Sequence, residues 1–82
     1  MFCQNDLEKG VLNVVGPRLR ELRTARRITQ SELCFMAKEK HLTISVATIC
    51  KIERQQRSVY DYEVRIFAEI LDVSIDELYC DF

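Results

Sequence analysis

Gln30, Lys51, Arg54 and Arg57 are the side chains in this 82-residue sequence whose type and spacing suggest chemistry. Each offers N–H donors and none is a nucleophile, so the chemistry they suit is the holding of an anion or of a hydrogen-bonding edge. They fall within residues 28–57, ITQSELCFMAKEKHLTISVATICKIERQQR, where two helix starts lie close together. Thr29 and Glu32 form a T-x-x-E capping box that starts one helix at Gln30, and Ser45 is placed to cap a second. Two short helices separated by so few residues suggest a helix-turn-helix, whose second helix enters the DNA major groove.

Other chemistries lack their parts. The four cysteines (Cys3, Cys34, Cys50 and Cys80) are far apart and form no C-x-x-C, and the single His41 completes no zinc spacing. No Ser/His/Asp constellation or phosphate-cradling glycine loop is visible, so the chain reads as a non-enzyme with no cofactor, metal or small-molecule substrate. The apolar runs are far too short for a membrane span and no signal peptide is recognisable. The expected setting is the cytoplasm, with free thiols and no membrane partner.

The net charge of −1, taken alone, argues against nucleic acid, but its distribution argues the other way. Residues 16–60 carry ten basic residues against four acids, net +6, whereas residues 61–82 carry Arg65 against seven acids, net −6. Such asymmetry suits a body with one face on phosphate and the other turned away, although solvated helix faces also produce charge runs.

The elements that must position these residues follow from hydrophobic spacing and breakers. A 48% hydrophobic share can supply a core, and Gly10, Gly16 and Pro17 are the whole complement of Gly and Pro. The expectation is one all-α domain over residues 16–80 behind an N-terminal arm, residues 1–15. That arm is open to three readings: a short helix, a strap on the body, or a disordered tail. Helix 1 starts at Pro17 and runs to about Arg27, with Leu19, Leu22 and Ile28 inward. Helix 2 runs from Gln30 to about Lys40 on Leu33, Met36 and Ala37, and helix 3 from Ser45 to about Arg54 on Ile49 and Ile52. Val64, Phe67, Ala68 and Leu71 give helix 4 a core stripe over residues 61–71. A second box, Ser74 with Glu77, starts a short fifth helix containing Ile75, Leu78 and Tyr79.

With these pieces in order, the chain resembles the Cro/cI-type (XRE family) helix-turn-helix regulators of bacteria and phages. The matching segments are GPRLRELR at 16–23, TQSEL at 29–33, ATICKIERQQR at 47–57 and DYEVRIFAEILDVSIDELY at 61–79. The resemblance implies a five-helix lambda-repressor-like DNA-binding domain and a transcriptional regulator, most often a repressor. It implies that Gln30 touches a DNA phosphate, in keeping with the anion preference of a helix start. It implies that Arg23 and Glu53 pair across helices 1 and 3 as scaffold.

The helix 3 face left after Ile49 and Ile52 turn inward is then the reading face. Ser45, Val46, Ala47, Thr48, Cys50, Lys51 and Arg54 lie on it. Val46, Ala47 and the Thr48 methyl suit thymine methyl groups, Lys51 suits a guanine edge or a phosphate, and Arg54 and Arg57 suit phosphate. Cys50 reads as a small groove-facing residue, since Lys51 alone is thin support for an activated thiol.

Departures from the family pattern carry expectations of their own. Relatives usually place glycine where Gln55 stands, so Gln55 adopts a left-handed conformation at some cost or the helix ends differently. The turn at residues 41–44 is longer than in the shortest relatives and has no glycine. Few Asn, Gln or Arg side chains lie near the start of helix 3, so modest specificity, or specificity through DNA shape, is expected. Finally, Tyr62, Ile66 and Ile70 lie opposite the core stripe of helix 4 and need cover, either from the arm or from a second copy in a homodimer. A protein-interaction module, such as an antitoxin or anti-repressor partner, is the alternative use of the same fold.

Overall fold

The computed structural model describes residues 10–79, and over this range the chain is all-helical. Five helices follow one another: α1 Gly16–Ala25, α2 Gln30–Glu39, α3 Val46–Glu53, α4 Asp61–Leu71 and α5 Ile75–Leu78. Each begins within a residue or two of where capping and periodicity place it. Residues 1–9, and Cys80 at the end of the expected domain, lie outside the described residues.

The helix starts follow local chemistry. At α2 the capping box closes in both directions: the Thr29 hydroxyl accepts the Glu32 N–H at 3.0 Å, and the Glu32 carboxylate accepts the Thr29 N–H at 2.8 Å. At α3 the Ser45 hydroxyl accepts the Thr48 N–H at 3.1 Å. At α4 the Glu63 carboxylate accepts the Tyr60 N–H at 2.9 Å. At α5 only half of the expected box forms, the Ser74 hydroxyl accepting the Glu77 N–H at 3.3 Å.

The helix ends share one device. Arg27, His41, Gln55 and Asp72, the residues that follow α1, α2, α3 and α4, all take positive φ, at 58°, 67°, 64° and 56°. In each case the next residue's N–H returns to a carbonyl five residues back: Ile28 to Arg23, Leu42 to Ala37, Gln56 to Lys51 and Val73 to Ala68. This is the Schellman arrangement, made four times without glycine. Gln55 therefore does adopt the left-handed conformation that glycine would take more cheaply. Its side chain gives something back, since its amide donates to the Asn13 carbonyl at 3.1 Å.

The core forms where the apolar faces of all five helices meet. Leu19, Leu33, Ile49, Ile52, Phe67, Leu71 and Leu78 are fully enclosed, with Leu22, Ala37, Val64 and Ala68 beside them. Met36, the outlier of the α2 stripe, is only half-buried.

Of the three readings of the arm, its described part is a strap on the body. Val15 is buried, and the Leu12 N–H donates to the Gln55 carbonyl at 3.1 Å. Asn13 is the hub that the sequence did not reveal. Its carbonyl-side oxygen Oδ1 accepts the Gly16 N–H at 2.8 Å, and its Nδ2 donates to the Ile52 and Arg57 carbonyls at 3.0 and 2.8 Å. One side chain thus caps the start of α1 and satisfies carbonyls at the end of α3. The approach is close: a Cβ on Gly16 would stand 2.0 Å from the Ile52 carbonyl oxygen, so glycine is required there.

The four left-handed ends predict unequal responses to glycine. His41 is exposed, so His41→Gly should stabilise the fold by roughly 0.5–1 kcal/mol in urea denaturation. Gln55→Gly should gain less, because it removes the bond to Asn13. A destabilised His41→Gly variant would contradict this account of the helix ends.

Candidate nucleic-acid interface

Glu53 organises the surface formed by α1, α2 and α3. Its carboxylate is buried and receives three bonds: Arg23 Nε at 2.7 Å, Arg23 Nη2 at 3.0 Å and Gln30 Nε2 at 3.0 Å. Arg23 is buried too, and its Nη1 donates to the Ile28 carbonyl at 2.7 Å. The pair expected from the resemblance is therefore present, and it reaches a third helix through Gln30. Each ion has near-ideal partners, the condition under which burial of charge is tolerated.

Gln30 is half-buried at the first residue of α2. One of its two amide N–H bonds is committed to Glu53, which ties the side chain to α3 at a helix start whose first backbone donors have no partner within the helix. Ser45 and Thr48 are likewise partly committed: their hydroxyls lie 2.9 Å apart and cap α3. The Thr48 methyl and the small side chains on the face remain for contact.

Along α3, Ile49 and Ile52 are fully buried, so the opposite face is presented to solvent. Val46 (41% exposed), Ala47, Lys51 and Arg54 are exposed, and Cys50 is half-buried. Cys34 and Cys50 are free thiols, and burial pushes the Cys34 thiol's pKa up, away from reactivity.

Arg57, expected from the sequence on the DNA backbone, is engaged within the fold: its guanidinium forks onto Glu63 at 3.0 and 3.1 Å and donates to the Ser58 carbonyl at 2.9 Å. It also lies over the Tyr60 ring at 5.8 Å, and the hydrogen bonds to Glu63 raise its pKa above the ordinary guanidinium value. Glu63 is almost wholly buried, so removing Arg57 would strand a carboxylate. Arg57 holds the loop between α3 and α4 to the start of α4. The signal was present in the sequence, since Glu63 stands at the third position of α4, but an acid in an acidic half reads as ordinary charge.

The second side of α4 finds cover at Ile66 from within the chain, one of the two kinds of cover the sequence leaves open. Ile66 is buried within the chain and needs no second copy for cover, whereas Ile70 is half-buried beside Met36. Tyr62 is 49% exposed and stacks against Tyr60 with ring centroids 5.6 Å apart.

Ion pairing separates the remaining cations into two groups. Arg18 pairs with Glu21, and Lys40 lies 3.7 Å from Glu69. Among the described residues Arg20, Arg26, Arg27, Lys38, Lys51, Arg54 and Arg65 have no acidic partner. Lys51 lies on α3 and Arg54 is its C-cap residue, and Arg20 of α1 lines two recesses together with Arg54.

No helix among the described residues is long and apolar enough to cross a membrane. Compared with family models, curated proteins and solved structures, the chain matches none.

The shared carboxylate makes a sharp prediction. Glu53→Ala leaves Arg23 buried without its partner and should cost about 3–5 kcal/mol in urea denaturation. The double replacement Arg23→Met with Glu53→Leu should recover most of that loss, because it removes both charges together. A double variant no more stable than Glu53→Ala would show that the pair stabilises beyond mutual neutralisation.

Proposed function

We infer that this protein binds double-stranded DNA with a sequence preference, as a helix-turn-helix transcriptional regulator of the Cro/cI type, and acts as a repressor. The observation that carries the reading is the coupling of Gln30 to the α3 face through Glu53. A helix start able to hold a phosphate and a solvent-facing helix able to enter a groove are fixed to one another by a single buried carboxylate. In this reading α2 and α3 form the helix-turn-helix within a lambda-repressor-like domain. Val46, Ala47, Thr48 and Cys50 face bases, Lys51 meets a base edge or phosphate, and Arg54 and Gln30 hold the backbone. The function is binding without catalysis, in the cytoplasm.

Duplex DNA titrated by fluorescence anisotropy tests it. The logarithm of affinity should fall linearly with the logarithm of salt, by about 0.9 per phosphate contacted, and Lys51→Ala with Arg54→Ala should weaken binding. Affinity that ignores salt, or a double variant that binds like the parent, would contradict the reading.

The repressor reading includes a homodimer, since two copies match a two-fold related site. Its contact draws on exposed Tyr62 and half-buried Ile70 in place of Ile66. Light scattering at high micromolar concentration should report a dimer, and a folded monomer there would remove this part of the proposal.

A second reading, a protein-interaction module on the same fold, is favoured by one feature. A groove of about 410 Å³ is lined by Val11, Leu12, Val14, Val59, Val64 and Tyr79, with Leu12 54% and Tyr79 47% exposed. It is apolar and suits a protein partner better than phosphate.

A further inference from the structure

We propose that Arg20, on α1 and outside the helix-turn-helix, is a backbone-phosphate anchor that works beside Arg54. This rests on the DNA-binding reading above and extends the interface onto a third helix.

The geometry is that of a cationic cleft. A recess of about 460 Å³ is lined by Arg20, Arg23, Thr29, Gln30, Cys50, Glu53 and Arg54. A neighbouring recess of about 630 Å³ between α1 and the end of α3 again has Arg20 and Arg54 in its wall. The two arginines therefore flank both openings, one from each helix. Within the first recess Arg23 and Glu53 neutralise one another at 2.7 Å, which leaves the charge of Arg20 and Arg54 uncompensated. In the second, Glu21 is engaged by Arg18.

Arg20 and Arg54 share the lack of an acidic partner with Arg27 and Arg65, and differ from these in lining the same two recesses. Arg18, Arg23 and Arg57 are all tied to carboxylates within the same small body, and Arg26 donates to the Leu22 carbonyl at 3.2 Å. Arg20 and Arg54 are exposed and have no such bond among the described residues. Two exposed guanidiniums converging on a recess that also holds the Gln30 amide suit a phosphodiester, whose two free oxygens accept bidentate donation. With Gln30 on the same recess, the phosphate bound by Arg20 adjoins the one at the α2 start. Phosphate contacts fix position and register and carry no base information. Arg20 is thus expected to set how α1 sits against the DNA backbone, with the base preference left to α3.

The test uses the full chain and labelled duplex DNA of mixed sequence, titrated across about 50–200 mM salt. Arg20→Ala should weaken binding to all sequences alike and reduce the salt slope by about one, while Arg20→Lys keeps the slope. Arg65→Ala, which removes an unpaired cation from the acidic half, should leave the slope at its parental value. Circular dichroism melting of each variant confirms folding, with Arg20→Gln as a second neutral replacement. A parental slope in folded Arg20→Ala and Arg20→Gln would overturn the proposal while leaving the DNA-binding reading intact. An equal fall in Arg65→Ala would overturn it as well, because general charge would then account for the effect. Parent protein that shows no salt-dependent binding would overturn the underlying reading and this extension with it.

Discussion

A single buried carboxylate holds the three helices of the candidate interface in register. Glu53 sits at the end of α3, receives two bonds from Arg23 on α1 and one from Gln30 on α2, and is shielded from water. An unpaired carboxylate there would be costly, so the three helices cannot separate without exposing or stranding a charge. The same constraint acts on function: the residue that neutralises Arg23 also orients the Gln30 amide. Stability and the posture of the surface proposed to face phosphate are set by one group.

The C-terminal end of α3 is fixed by further means as well. Asn13 donates to the Ile52 carbonyl, which also accepts the Gln55 N–H, and Gly16 allows α1 to begin against that carbonyl. The Arg57–Glu63 pair then holds the following loop to α4. Helix α3 is thus braced along its inner side, by Ile49 and Ile52, and at its C-terminal end, while Val46, Ala47 and Lys51 remain in solvent. A helix braced in this way can present side chains to a partner without rearranging, which lowers the ordering cost of binding.

Much of the fold was legible because it rests on short-range rules. The Thr29–Glu32 box, the Ser45 cap and the stripes of α1, α3 and α4 are local patterns, and the structure places them as expected. Long-range polar partners were not legible. Asn13 bonds residues 39 and 44 positions away, and nothing near it in sequence signals that role. Arg57 looked like a free cation because its partner Glu63 lay in a run of acids. Ile66 looked uncovered because helical periodicity gives a direction and says nothing about which neighbours fill it. Gln55 was the informative departure, since the left-handed conformation it was expected to resist is kept, and three other non-glycine residues share it.

The central claim, that the outer face of α3 together with the start of α2 is the DNA-facing surface, is tested most directly by following backbone amide resonances during titration with duplex DNA. The account predicts shifts concentrated at Gln30 and at Val46, Ala47, Cys50, Lys51 and Arg54, with Ile75 and Tyr79 little changed. Shifts concentrated instead on Val11, Leu12, Val59 and Tyr79, or none at all in folded protein, would contradict it.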